Sequence, residues 1–78
     1  MQYNKFGQFV RAKREAIRPK VSLNSFALNN DIEPAILCRV ENLKQDVKLN
    51  VVSKIANGFG MRVSDLLAEY EEYIASFS

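Results

Sequence analysis

The sequence predicts an all-α fold. Apolar residues recur three and four positions apart in every segment long enough to judge, and no alternating run of β-branched and aromatic residues of strand length appears. The chain has 78 residues, of which 47% are hydrophobic and 26% charged, which is the composition of one small globular domain. We therefore expect residues 1–78 to form a single compact domain of five helices.

The first helix is predicted from four apolar residues that share one helical face: Phe6, Phe9, Val10 and Ile17. Lys13, Arg14 and Arg18 lie toward its C-terminal end, where cations suit the helix dipole. Pro19 is expected to end the helix because proline cannot continue it.

Two short helices should follow. Ser22 is a good N-cap for the second helix, whose apolar positions are Leu23, Phe26 and Ala27. The second helix should end in the segment Asn29, Asn30 and Asp31, because these residues tolerate turns and left-handed backbone. Pro34 fits the first turn of the third helix, whose apolar positions are Ile36, Leu37 and Val40.

The last two helices are strongly amphipathic. The fourth has its apolar face at Leu49, Val52, Ile55, Ala56 and Phe59, and Gly60 should end it. Ser64, followed by Asp65, is the expected N-cap of the fifth. Its apolar stripe continues almost to the C-terminus: Leu66, Leu67, Tyr70, Tyr73, Ile74 and Phe77.

The spacing between the second and third helices predicts a helix-turn-helix. A small residue, Ala27, would let the two helices approach closely at a steep angle, and Ile32 and Val40 would fill the corner between them. The pattern is moderately specific, since other compact helical hairpins would match it.

Composition excludes several function classes. The chain has no histidine and a single cysteine, Cys38, so it cannot form an internal disulfide, a Cys/His zinc site or a histidine-based triad. We therefore expect no enzyme activity and no cofactor. No run approaches the roughly 18 apolar residues of a membrane span, and the start MQYNKFGQFV is unlike a signal peptide. The expected compartment is the cytoplasm.

Charge is unevenly distributed along the chain. Residues 1–48 carry nine Lys or Arg and five Asp or Glu, whereas residues 49–78 carry two and four. A basic front and an acidic back favour one surface that faces an anion, such as nucleic acid.

Several stretches carry a resemblance to a known family: FGQFVRAKRE at residues 6–15, SLNSFA at 22–27, LCRVEN at 37–42, KLNVVSKIANGFG at 48–60 and VSDLL at 63–67. In these the chain resembles the lambda repressor and Cro-like (Xre-type) helix-turn-helix family. The resemblance implies a compact five-helix DNA-binding domain with the helix-turn-helix in helices two and three.

The resemblance also implies that the third helix, about Pro34 to Asn42, lies in the major groove of DNA. The groove-facing positions would be Glu33, Pro34, Ala35, Cys38 and Arg39. Arg39 is the only long donor among them, and a bidentate contact with guanine is expected of it. Pro34 and Ala35 would make apolar contacts, for example with a thymine methyl. The alternative role for Arg39 is a contact with a DNA phosphate or an ion pair with Glu33 or Glu41.

Contacts with the phosphate backbone are expected at the start of the second helix and after the third: Ser22, Leu23, Asn42, Lys44, Gln45 and Lys48. A solvated loop is the alternative for the lysines. The resemblance further implies a structural ion pair between Arg14 and Glu41.

The C-terminal stripe has two interpretations. Residues 68–78 would form a helical extension that supports a homodimer through Tyr70, Tyr73, Ile74 and Phe77. Alternatively, this segment folds back over its own core, or it is a truncated link to something else.

Taken together, these features predict a small sequence-specific transcriptional regulator that binds duplex DNA as a dimer. The alternative is a protein-interaction module, similar to an antitoxin or an accessory subunit, that binds DNA weakly and holds a partner on its aromatic C-terminal helix.

Overall fold

A computed structural model describes residues 5–42 and 47–76. Over these residues the prediction of an all-α, five-helix fold is confirmed, with no strand in either range. The helices are α1 (Phe6–Glu15), α2 (Leu23–Asn29), α3 (Pro34–Asn42), α4 (Leu49–Gly58) and α5 (Val63–Ala75). Lys44, Gln45 and Phe77, to which binding roles were assigned, lie outside the described residues.

Two helix ends use the same left-handed cap. After α2, Asp31 has a φ of 58° and the Ile32 amide donates to the Ala27 carbonyl over 2.8 Å. After α4, Gly60 has a φ of 69° and the Met61 amide donates to the Ala56 carbonyl over 2.9 Å. Such caps satisfy carbonyls that have no partner within the helix. The predicted ends of both helices are therefore confirmed.

One of the two predicted N-caps is confirmed and the other is not. Ser22 caps α2, because its Oγ accepts a hydrogen bond of 3.1 Å from the Ser25 amide. The prediction for Ser64 is wrong: the N-cap of α5 is Arg62, so the helix begins at Val63, two residues earlier than an N-cap at Ser64 implies. Asp65 therefore lies in the first turn of α5, where a carboxylate suits the positive end of the helix dipole.

An aromatic cluster joins α1 and α5 in the core. The Tyr70 ring meets Phe6 edge to face with centroids 5.4 Å apart, and it lies 5.6 Å from the Phe9 ring. Tyr70 has no solvent-exposed surface and is among the largest fully buried side chains. Its assignment to a dimer interface is therefore wrong, because the chain's own first helix already covers it.

One predicted core position lies outside the core. Leu49, the first residue of α4, is 71% exposed, although the apolar period of that helix includes it. Burial begins one turn later, at Val52, and continues through Ile55 and Ala56. The first turn of α4 therefore extends beyond the neighbouring helices that cover the rest of its apolar face.

Candidate nucleic-acid interface

The hairpin of α2 and α3 is built as its spacing predicts. Ala27 is completely buried, and Ile32 and Val40 are buried beside it. The small side chain of Ala27 admits close packing of α2 against α3, and Asp31 supplies the left-handed residue that turns the chain between them.

One face of α3 points to solvent. Its exposed residues are spaced one helical turn apart and form a continuous strip, which we call the reading face: Ala35, Cys38, Arg39 and Asn42. The opposite face buries Leu37, Val40 and Glu41. Glu33, just before the helix, is exposed, and Pro34 is half-buried. The structure thus brings four of the predicted DNA-facing residues, Glu33, Ala35, Cys38 and Arg39, to the surface near or on one strip.

Arg39 is free to contact a ligand. It is exposed and makes no hydrogen bond or ion pair with any residue in the ranges 5–42 and 47–76. The alternative pairing with Glu41 is absent because that carboxylate is buried in a different ion pair, and Glu33 makes no such pair either within the same ranges.

A buried ion pair anchors the end of α3. Arg14 Nε and Nη2 donate to the two carboxylate oxygens of Glu41 over 2.8 and 2.9 Å, so the pair expected from the resemblance is present. Both side chains are buried. The hydrogen bond to Glu41 raises the pKa of Arg14 against the opposing effect of burial. The guanidinium is therefore a fixed cation under all ordinary conditions.

Arg14 also reaches the segment before α2. Its Nη1 donates to the Val21 carbonyl over 3.0 Å. One guanidinium thus ties the start of α2 to the end of α3. Lys20, which sequence reasoning did not select, is exposed next to this tie and adds a cation at the same end of the hairpin. The sequence feature that could have pointed to Lys20 is its position two residues before the N-cap Ser22.

The predicted phosphate contacts differ in what they can offer. The Ser22 hydroxyl accepts from the Ser25 amide, and the Leu23 side chain packs against the core, so its main-chain amide is the group available to an anion. Asn42 donates its side-chain amide to the Cys38 carbonyl over 2.9 Å. Lys48 is exposed at the N-cap of α4.

The remaining dimer candidates lie on α5 as it continues past Tyr70. The Tyr73 ring is half-buried and lies 5.3 Å from Phe9. Ile74 is half-buried against the core. Residues 68–75 continue α5, and Tyr73 and Ile74 on this part of the helix pack partly against the core.

Comparison of the chain with protein-family models, with curated proteins and with solved structures finds no match. Among the residues that the structure describes, no helix has the length and apolar character needed to cross a membrane.

Proposed function

We propose that this protein binds duplex DNA by placing α3 in the major groove. The observation that carries the proposal is the reading face of α3. It is exposed and bears Arg39, which has no partner among residues 5–42 and 47–76, while the opposite face of the helix is anchored by the buried pair of Arg14 and Glu41. Readout in the major groove requires a helix held in a fixed position with a hydrogen-bond donor on its exposed face, and α3 with Arg39 meets this requirement.

Phosphate contacts would flank this helix. Arg14 bonds both the Val21 carbonyl and the Glu41 carboxylate, so the start of α2 lies near the C-terminal end of α3. The first amides of α2 and the side chain of Lys20 would contact phosphates there. Lys48 is exposed at the start of α4. Such groups position a protein on the backbone, whereas base edges supply specificity.

The proposed biological role is transcriptional regulation in the cytoplasm. A homodimer would place two copies of α3 on successive major-groove faces of a palindromic site, about 34 Å apart. With Tyr70 enclosed in its own core, Ile74 and Tyr73 are the described residues that we propose for this contact. Sedimentation equilibrium with and without duplex gives the stoichiometry directly.

Fluorescence anisotropy with labelled duplexes tests the proposal. We expect the wild-type chain to bind duplex from upstream of its own gene more tightly than a scrambled duplex, and Arg39→Ala to lose about 1 to 3 kcal/mol of that discrimination. Arg62→Ala is the matched control: Arg62 is also exposed and its loss changes the net charge equally, but its partner is Asp65 at the start of α5. Equal losses for both variants would count against readout by α3.

Cys38 provides an independent test, because it is the single thiol of the chain and lies on the reading face. Duplex DNA should slow its alkylation by a maleimide, whereas heparin should slow it less at equal charge concentration. Unchanged alkylation in the presence of saturating duplex would place the DNA on another surface.

A further inference from the structure

The reading face of α3 has an unusual chemical content. Arg39 is its one charged residue, and beside it lie Ala35, one turn earlier, and Cys38, the preceding residue. Both neighbours present small, largely apolar side chains. A ligand that fits this face therefore needs two adjacent hydrogen-bond acceptors for the Arg39 guanidinium and an apolar group next to them.

Asn42, the other amide on the reading face, is turned back on its own helix. Its Nδ2 lies 2.9 Å from the Cys38 carbonyl and 3.5 Å from Cys38 Sγ. Bidentate recognition of adenine requires an Asn or Gln amide extended toward the base edge. The reading face therefore favours the acceptor edge of guanine, which a guanidinium fork matches through O6 and N7.

The base beside that guanine would meet Ala35 and Cys38. The apolar group that DNA displays in its major groove is the methyl at C5 of thymine, and 5-methylcytosine carries the same methyl at the same position. We propose that α3 recognises a guanine with a 5-methylpyrimidine next to it, with Arg39 on the guanine and Ala35 and Cys38 on the methyl. This inference rests on the proposed function.

In vitro selection from a random duplex library, with the full chain at near-physiological salt, begins the test. We expect it to enrich a guanine with a thymine beside it, and selection with Arg39→Ala to lose the guanine. Enrichment of a site in which no guanine has a neighbouring thymine would overturn the proposal.

The selected duplex is then prepared with thymine, deoxyuridine, 5-methylcytosine or cytosine at the one pyrimidine. Thymine should bind about fourfold more tightly than deoxyuridine, which is what burial of one methyl group is worth. 5-Methylcytosine should exceed cytosine by a similar factor. If thymine is preferred over deoxyuridine but 5-methylcytosine is not preferred over cytosine, the methyl contact is supported and the base that supplies the methyl is thymine.

Ala35→Ser should bring the ratio of thymine to deoxyuridine affinities toward one, because a hydroxyl then faces the methyl. Ala68→Ser, at an exposed alanine of α5, should leave the ratio unchanged. If thymine and deoxyuridine bind the wild-type chain alike, the methyl contact is wrong while DNA binding stands. If no duplex binds, both proposals fail.

Discussion

Gly7 of α1 lies directly against the backbone carbonyl of Val40 in α3. A Cβ at position 7 would overlap the carbonyl oxygen and would lie 2.8 Å from the carbonyl carbon. The two helices therefore meet through main-chain atoms at this point, with no room for a side chain between them. This contact helps to set the position of the reading face.

Gly7→Ala should destabilise the fold, although alanine favours a helix by about 1 kcal/mol over glycine. The overlap involves backbone atoms and can be relieved only by moving a helix, for which overpacking penalties of about 1 to 3 kcal/mol are typical. Urea unfolding followed by circular dichroism measures the change. Gly60→Ala is the comparison, since a Cβ there meets no atom within 4 Å and only the positive φ opposes it. A more stable Gly7→Ala variant would contradict the close crossing.

Glu41→Ala should cost about 3 to 5 kcal/mol of unfolding free energy, because it leaves the buried guanidinium of Arg14 without its carboxylate. Replacing both residues by leucine should cost less than the two single losses together, since no buried charge remains. Because the folded-state pKa of Arg14 is raised, its contribution to stability is complete at and below neutral pH and is lost only under strongly alkaline conditions. Additive single and double losses in a thermal-melting cycle would argue against the pair.

Ser22→Ala should lower stability by about 1 kcal/mol, the usual effect of losing an N-cap hydrogen bond. Ser64→Ala is its matched control, because Ser64 is exposed inside the first turn of α5 and caps nothing. It should change stability by less than about 0.5 kcal/mol, as ordinary surface substitutions do. Equal losses for the two variants in thermal melts would contradict the boundary of α5 at Val63.

Tyr70→Ala should cost about 3 to 5 kcal/mol, as expected when a completely buried aromatic ring is removed. Tyr70→Phe keeps the ring contacts with Phe6 and Phe9 and should lose less. Ile74→Ala, at a half-buried position, should cost about 1 kcal/mol and is the variant suited to testing dimerisation. A Tyr70→Ala chain that melts like the wild type while its sedimentation behaviour changes would restore Tyr70 to an interface between copies.

Lys48→Gln and Lys20→Gln should each reduce the slope of log affinity against log salt by about 0.9 if each cation neutralises one DNA phosphate. Both side chains are exposed. Arg62→Gln, with the same loss of charge near α5, should leave the slope nearly unchanged. A uniform small effect of all three substitutions would indicate general attraction by net charge without defined phosphate contacts.

Much of the helical framework follows from local signals. Ser22, Asp31, Pro34 and Gly60 mark helix ends through their own capping or backbone preferences, which act within a few residues. The start of α5 was predicted wrongly from Ser64, because Ser and Asp are favoured both at an N-cap and within the first turn. A helix start predicted from these residues is therefore uncertain by a residue or two.

Burial was predicted less well than helix position. Leu49 and Tyr70 both fit the apolar period of their helices, yet one is exposed and the other has no exposed surface. Periodicity gives the direction in which a side chain points from its helix and contains no information about what lies opposite it. In the candidate site, the outward residues of α3 were expected from the resemblance to the helix-turn-helix family, and neither that resemblance nor periodicity pointed to Lys20.

Local features of the sequence are enough to predict an all-α chain of five helices and the turn between α2 and α3. These depend on contacts between residues close together along the chain, whose energies act before the helices pack. Three contacts come from the packing of the folded chain: Gly7 lets α1 touch α3, Tyr70 closes the core over Phe6, and Arg14 reaches the Val21 carbonyl while it holds Glu41. Each of these joins separate elements, and such a contact exists only when the whole chain has folded.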